Sequence, residues 1–160
     1  MSFTLRTLAH WLLPRPRPGA LLADSEQRTL AAAAEVLLEG IAFELQSGEV
    51  TRNVERFLAA RGSRRAWRVR VLLTVVELAP AVLLGKRRFS RMSRDERARL
   101  MRDKMVDGSH IWGVCGRIRP LVYLGAYASP AARNDVGWVP VPERARFRVR
   151  RARTAADVTS

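Results

Sequence analysis

Residues 67–89, WRVRVLLTVVELAPAVLLGKRRF, constrain the fold more than any other stretch, because nowhere else do so many bulky apolar residues follow one another without a turn signal. Between positions 71 and 84 only Thr74, Glu77 and Pro80 interrupt the run. A helix apolar on nearly every side belongs at the centre of a bundle, so this segment is expected to be the most buried helix of the protein. A bilayer span needs about 20 apolar residues. This run is shorter, holds a carboxylate and a proline, and is closed at both ends by arginines, so it reads as buried protein. Pro80 removes a backbone donor and crowds the preceding turn, which predicts a kink or a split near Leu78.

The flanking sequence supplies helices to pack around it. Asp24 or Ser25 can cap a helix through EQRTLAAAAEVLLEG, with Leu30, Ala33, Ala34, Leu37 and Leu38 as its buried stripe and Gly40 at its end. A second helix is expected over 50–60, with Val54, Phe57 and Leu58 facing inward. Ser93 and Glu96 form a capping box, so a helix starts at Arg94. Ala98, Leu100, Met101 and Met105 give that helix its inner face, and Arg94, Arg97, Arg99 and Arg102 mostly its solvated one. Ile111, Val114, Cys115, Ile118 and Val122 recur at helical spacing, which predicts one helix over 111–127 bent near Pro120, with Gly113 and Gly116 leaving room for another backbone. Ser129 and Pro130 restart a short helix, serine as cap and proline at the first position. The fold class is therefore all-α: a single irregular helical bundle of five or six helices with extended N- and C-terminal arms.

The arms differ in character. Residues 1–13 read as an amphipathic helix with Phe3, Leu5, Leu8, Trp11 and Leu12 at helical spacing, and alternating prolines then stiffen the connector that completes a segment 1–23. The helical domain occupies 24–142. Beyond it, 143–160 reads as an extended basic tail in which six of the ten residues 144–153 are arginine.

Of the 160 residues, 48% are apolar, which supports a real core. The formal net charge of +14 favours an anionic partner: nucleic acid, acidic lipid or an acidic protein surface. One cysteine, Cys115, excludes an internal disulfide framework and any zinc site built on several thiolates. His10, His110 and Cys115 are poor material for a metal site, and the preferred reading is a buried apolar Cys115 and a hydrogen-bonded His110. Glu77 could shuttle a proton if burial raised its pKa, but pairing with an arginine, or capping a break at Pro80, is the preferred role. No dinucleotide fingerprint, phosphate loop or nucleophile elbow occurs. The start of the chain holds no twin-arginine pair, and the default expectation is a cytoplasmic location.

The order of the pieces LADSEQRTLAAAAEVLLEG, VERFLAARG, the apolar helix with its ELAP, RRFSRMSRDERARLM and RIRPLVYLGAYASPAARNDVGW resembles the small-subunit family typified by gluconate 2-dehydrogenase subunit 3. It is equally similar to the helical segment ahead of the flavin domain in some glucose-methanol-choline oxidoreductases and long-chain alcohol oxidases. The resemblance covers about 24–142 and is most specific at Phe89, Ser93 and Glu96, and at Tyr123, Tyr127, Gly137 and Trp138. It implies a non-catalytic accessory subunit that binds and stabilises an FAD-dependent oxidoreductase, with FAD in the partner and no cofactor, metal or catalytic residue in this chain. Trp11, Tyr127, Trp138, Phe147, Arg148 and Arg150 are the expected partner-binding residues, since aromatics and arginines concentrate interface energy. Peripheral membrane contact fits the amphipathic N-terminal segment. The alternative from the charge is a small basic nucleic-acid-binding protein working through phosphate contacts.

Overall fold

The computed structural model describes residues 13–41, 48–60, 63–106 and 110–135. The segment 1–12 and the basic tail 143–160 lie outside the described residues, while the connector 13–23 of the expected N-terminal arm is among them and ends with Leu22 in the core. Among the described residues the chain is all-α, with no strand. Seven helices follow in order: α1 (Asp24–Leu37), α2 (Glu49–Ala60), α3 (Ser63–Leu84), α4 (Arg94–Asp103), α5 (His110–Gly116), α6 (Ile118–Tyr127) and α7 (Pro130–Asp135), with a 3-10 turn at Phe89–Arg91 between α3 and α4.

The core forms where the faces of these helices meet. Leu30 and Ala33 of α1, Val54 and Leu58 of α2, Leu73 and Val76 of α3, and Ile118 and Val122 of α6 are fully or almost fully buried. Phe89 of the 3-10 turn joins them at 0% exposure, so the link between α3 and α4 is pinned into the core rather than draped over it. The tightest helix pair is α2 with α6. At Gly125 an added Cβ would stand 2.7 Å from the Val50 carbonyl oxygen and 3.0 Å from a Val54 methyl. Asn53 Nδ2 reaches across the same contact to donate to the Gly125 carbonyl at 2.9 Å.

Local capping follows the sequence in two places. Ser93 Oγ accepts from the Glu96 N–H at 3.3 Å while Glu96 accepts from the Ser93 N–H at 2.9 Å. The Ser93 N–H, and after it the Ser93 hydroxyl, hold the Glu96 carboxyl below its ordinary range. Ser129 Oγ accepts from the Ala132 N–H at 3.0 Å, with Pro130 as first residue of α7.

Elsewhere the structure corrects the expectations. The cap of α1 is Ala23, not Asp24 or Ser25, and the Glu26 carboxylate satisfies its N–H at 2.6 Å. The expected single helix over 111–127 is two, because the Pro120 ring collides with the carbonyl four residues back, at Gly116, where α5 ends. Pro120 then sits in the first turn of α6, where no helical N–H bond is required. Pro80, by contrast, does not split α3, which runs unbroken to Leu84. Gly85, at φ +62°, turns the chain out of that helix, and the Lys86 N–H donates to the Pro80 carbonyl at 3.1 Å.

The apolar character of α3 also misleads about its burial. Leu73, Val76 and Ala79 are buried, yet Leu78 on the cleft wall is exposed, and so are Val82, Leu83 and Leu84 of the last turn. Among the arginines of α4, Arg97 turns inward and pairs with Glu35 of α1, while Arg94 pairs with Glu39 at 3.3 Å on the surface.

Candidate partner-binding surface

Two places on the domain combine shape with chemistry. The first is a cleft of ≈ 410 Å³ between α1 and α3, with Glu26, Thr29, Thr74 and Glu77 among its lining residues and Leu13, Leu78 and Arg88 also along its walls. Its carboxylates hold the fold together. Glu77 accepts from Thr29 Oγ1 at 3.0 Å, from the Ser90 N–H at 2.9 Å and from Ser90 Oγ at 2.7 Å. It therefore ties α3 to α1 and to the 3-10 turn, without the expected arginine and without a helix break to cap.

Glu26 is tied down in the same way. Arg70 Nε donates to both of its oxygens at 3.1 Å, beside the bond from Ala23. Burial pushes the Glu26 carboxyl above its ordinary range, against the opposing pull of the Ala23 N–H and the Arg70 guanidinium. The same guanidinium donates to the Pro14 carbonyl and so fastens the incoming connector to α1 and α3. A catalytic acid or base needs a lone pair or proton aimed at a substrate. In this cleft Glu26 and Glu77 are both held by donors of the protein itself, while Thr74 Oγ1 is buried without a hydrogen-bond partner.

The second place is the outward face of α6. Ile118, Val122, Gly125 and Ala126 are its buried side. Helical geometry then places Pro120, Tyr123, Leu124 and Tyr127 on the opposite side, and all four are exposed. Tyr127 is 47% exposed, and its ring centroid lies 6.4 Å from that of Tyr123 with the planes inclined at 40°. Such a tilted aromatic pair is a large, rigid and amphipathic contact surface. Exposed Ile111 and Val114 lie on α5, immediately before it.

Of the expected partner-binding residues, Tyr127 is therefore on an exposed face. Trp11, Trp138, Phe147, Arg148 and Arg150 lie outside the described residues. Tyr123 and Leu124 are not among the expected contacts, although the spacing of Tyr123 and Tyr127 across one helical turn, out of phase with Val122 and Ala126, carries that signal. Cys115 is buried as expected, and desolvation pushes its thiol up to about 11. His110 is exposed, with φ +47°. Among the described residues no group of three or more His, Cys, Asp or Glu side chains could hold a metal ion. No helix among them is long and apolar enough to cross a membrane. Comparison with protein-family models, with curated proteins and with solved structures finds no match to this chain.

Proposed function

We propose that this chain is a non-catalytic accessory subunit that binds and stabilises an FAD-dependent oxidoreductase of the glucose-methanol-choline type. The observation that carries the binding role is the outward face of α6, where Tyr123, Leu124 and Tyr127 stand exposed together on a helix whose other side is locked into the core. Aromatic anchors on a rigid element bind well because little conformational freedom is lost when they are covered. The identity of the partner rests on the motif order described above, from the capped helix at Ser93 to the aromatic α6. In this reading FAD belongs to the partner, and Trp11, Trp138, Phe147, Arg148 and Arg150 extend the contact from the two ends of the chain. The net charge of +14 favours an acidic partner surface and speeds encounter more than it adds affinity. The complex works in the cytoplasm or at the membrane periphery.

Purification from the native host under mild conditions tests this directly. The expected result is co-elution with a flavin-loaded oxidoreductase, and at least a tenfold weaker complex when Tyr123→Ala and Tyr127→Ala are combined. Recovery of the oxidoreductase soluble, flavin-loaded and fully active without this chain would refute the assignment. A salt-sensitive shift of DNA or RNA by the isolated chain, with no flavoprotein recovered, would replace it with the nucleic-acid reading.

A further inference from the structure

The end of α3 has a property that the accessory role does not use. Seven consecutive residues, 82–88, are all exposed, and they read VLLGKRR: three bulky apolar side chains, a glycine turn and three cations. Val82 is 76% exposed, the most of any large apolar residue described. The segment projects between buried flanks, Ala79 and Pro80 before it and Phe89 after it, and of its residues Arg88 alone also lines the cleft between α1 and α3. Pinning at both ends makes it stiff. Phe89 sits in the core, and Ser90 is held by Glu77 through both its N–H and its hydroxyl.

Its charge is one-sided as well. From residue 78 to residue 94 the chain has no Asp or Glu, while Lys86, Arg87, Arg88, Arg91 and Arg94 are all present. Arg94 is engaged with Glu39, and Glu96 lies close enough to Lys86 and Arg87 for their charges to lower its pKa. Arg88 and Arg91 are exposed as well.

We infer that this projection, Val82–Leu83–Leu84 with the collar Lys86–Arg87–Arg88, seats on the surface of an anionic lipid bilayer. Apolar side chains on a convex tip can enter the acyl boundary, where a groove-binding protein partner would instead need a concavity to accept them. The cations behind the glycine then lie at headgroup level, each contributing about a fivefold gain in partitioning to an anionic surface. Stable peripheral attachment takes two weak signals together, and the tip supplies both within seven residues. Since no described helix can span a bilayer, the contact is peripheral. It does not rest on the flavoprotein reading, and its residues belong to α3 and the link after it, not to α6.

The lone cysteine makes the test clean. Cys115 is fully buried with its thiol pushed up to about 11, so in the full chain carrying Val82→Cys a polarity-sensitive fluorophore can be directed to position 82. The probe is a vesicle of phosphatidylcholine with or without phosphatidylglycerol. The expected result is a blue shift on the anionic vesicles only, and co-sedimentation that falls about tenfold or more in Val82→Glu with Leu83→Glu and weakens as salt rises. Circular dichroism of that variant, altered only at exposed positions, should match the parent. Undiminished sedimentation of the double variant would assign vesicle binding to the basic tail and overturn the proposal. A label already blue-shifted in the free protein would show the tip covered by its own chain. One that shifts only on adding the co-purified oxidoreductase would make it a protein-docking knob; either outcome also overturns it.

Discussion

Replacing Gly125 with alanine should destabilise the protein even though alanine is the better helix former. The new Cβ would stand 2.7 Å from the Val50 carbonyl oxygen and 2.8 Å from a Val50 methyl. A carbon tolerates a carbonyl oxygen at about 3.3 Å, so α2 and α6 must part by roughly 0.6 Å. Backbone oxygen cannot rotate away as a side chain can. Overpacking of this kind costs about 1–3 kcal/mol, while exchanging Gly for Ala inside a helix returns up to about 1 kcal/mol. Parting the helices also stretches the 2.9 Å bond from Asn53 to the Gly125 carbonyl, which is worth about 1 kcal/mol. The net expectation is a loss of about 1–3 kcal/mol by urea denaturation, with Tm lowered by about 2–4 °C for each kcal/mol. Asn53→Ala provides a second reading. With that bond already gone, the alanine at 125 should cost about 0.5–1 kcal/mol less than in the parent. A Gly125→Ala protein as stable as the parent, or more so, would show that α2 and α6 do not approach as described.

Three further outcomes follow from buried groups. Glu77→Ala strands the two Ser90 donors, while the Thr29 hydroxyl can turn to the Ser25 carbonyl at 2.9 Å, and should cost about 2 kcal/mol in chemical denaturation, whereas Glu77→Gln, which keeps an acceptor, should cost clearly less. Glu26 has a raised folded-state pKa, so its contribution to stability is fully present below its unfolded value near 4.5 and is lost as pH rises through the folded value. The stability of the parent relative to Glu26→Gln should therefore decline from acid towards neutral pH, and a rise over that interval would contradict the assignment. Cys115, with no exposed surface and a thiol pKa of about 11, should resist alkylation at neutral pH until the protein is unfolded by urea, as followed by mass spectrometry.

What is legible in the sequence is local. The boxes at Ser93 with Glu96 and at Ser129 with Pro130 can be read because every partner lies within three residues. Gly116 stands out as a close approach, and an added Cβ there would indeed meet the Met105 carbonyl oxygen at 2.7 Å, but Gly125 does not. A glycine in a helix announces room without saying which neighbour uses it. Arg97 groups by spacing with the solvated arginines because its partner, Glu35, lies far back in the chain. Glu77 invites an arginine for a related reason: nothing in its own neighbourhood reveals that Ser90 and Thr29 supply its donors. The exposed tip of α3 is hidden by the very feature that marks the helix. Hydrophobicity says that a segment favours leaving water, and not whether its own domain is long enough to cover it. Of the site, Tyr127 is legible as an aromatic at the end of a helix, and its pairing with Tyr123 becomes visible once Val122 and Ala126 fix the inward face.

The union of α2 with α6 also sets an order of assembly during synthesis. Val50, Asn53 and Val54 are made early, but the helix that covers them meets Asn53 through Gly125, 72 residues later. Until α6 has left the ribosome, the Asn53 amide has no carbonyl to meet and the inner face of α2 has no lid. The nascent chain therefore presents a sticky, half-finished layer of helices for most of its translation, and a chain stopped anywhere before α6 should be a client of chaperones and not a smaller stable protein.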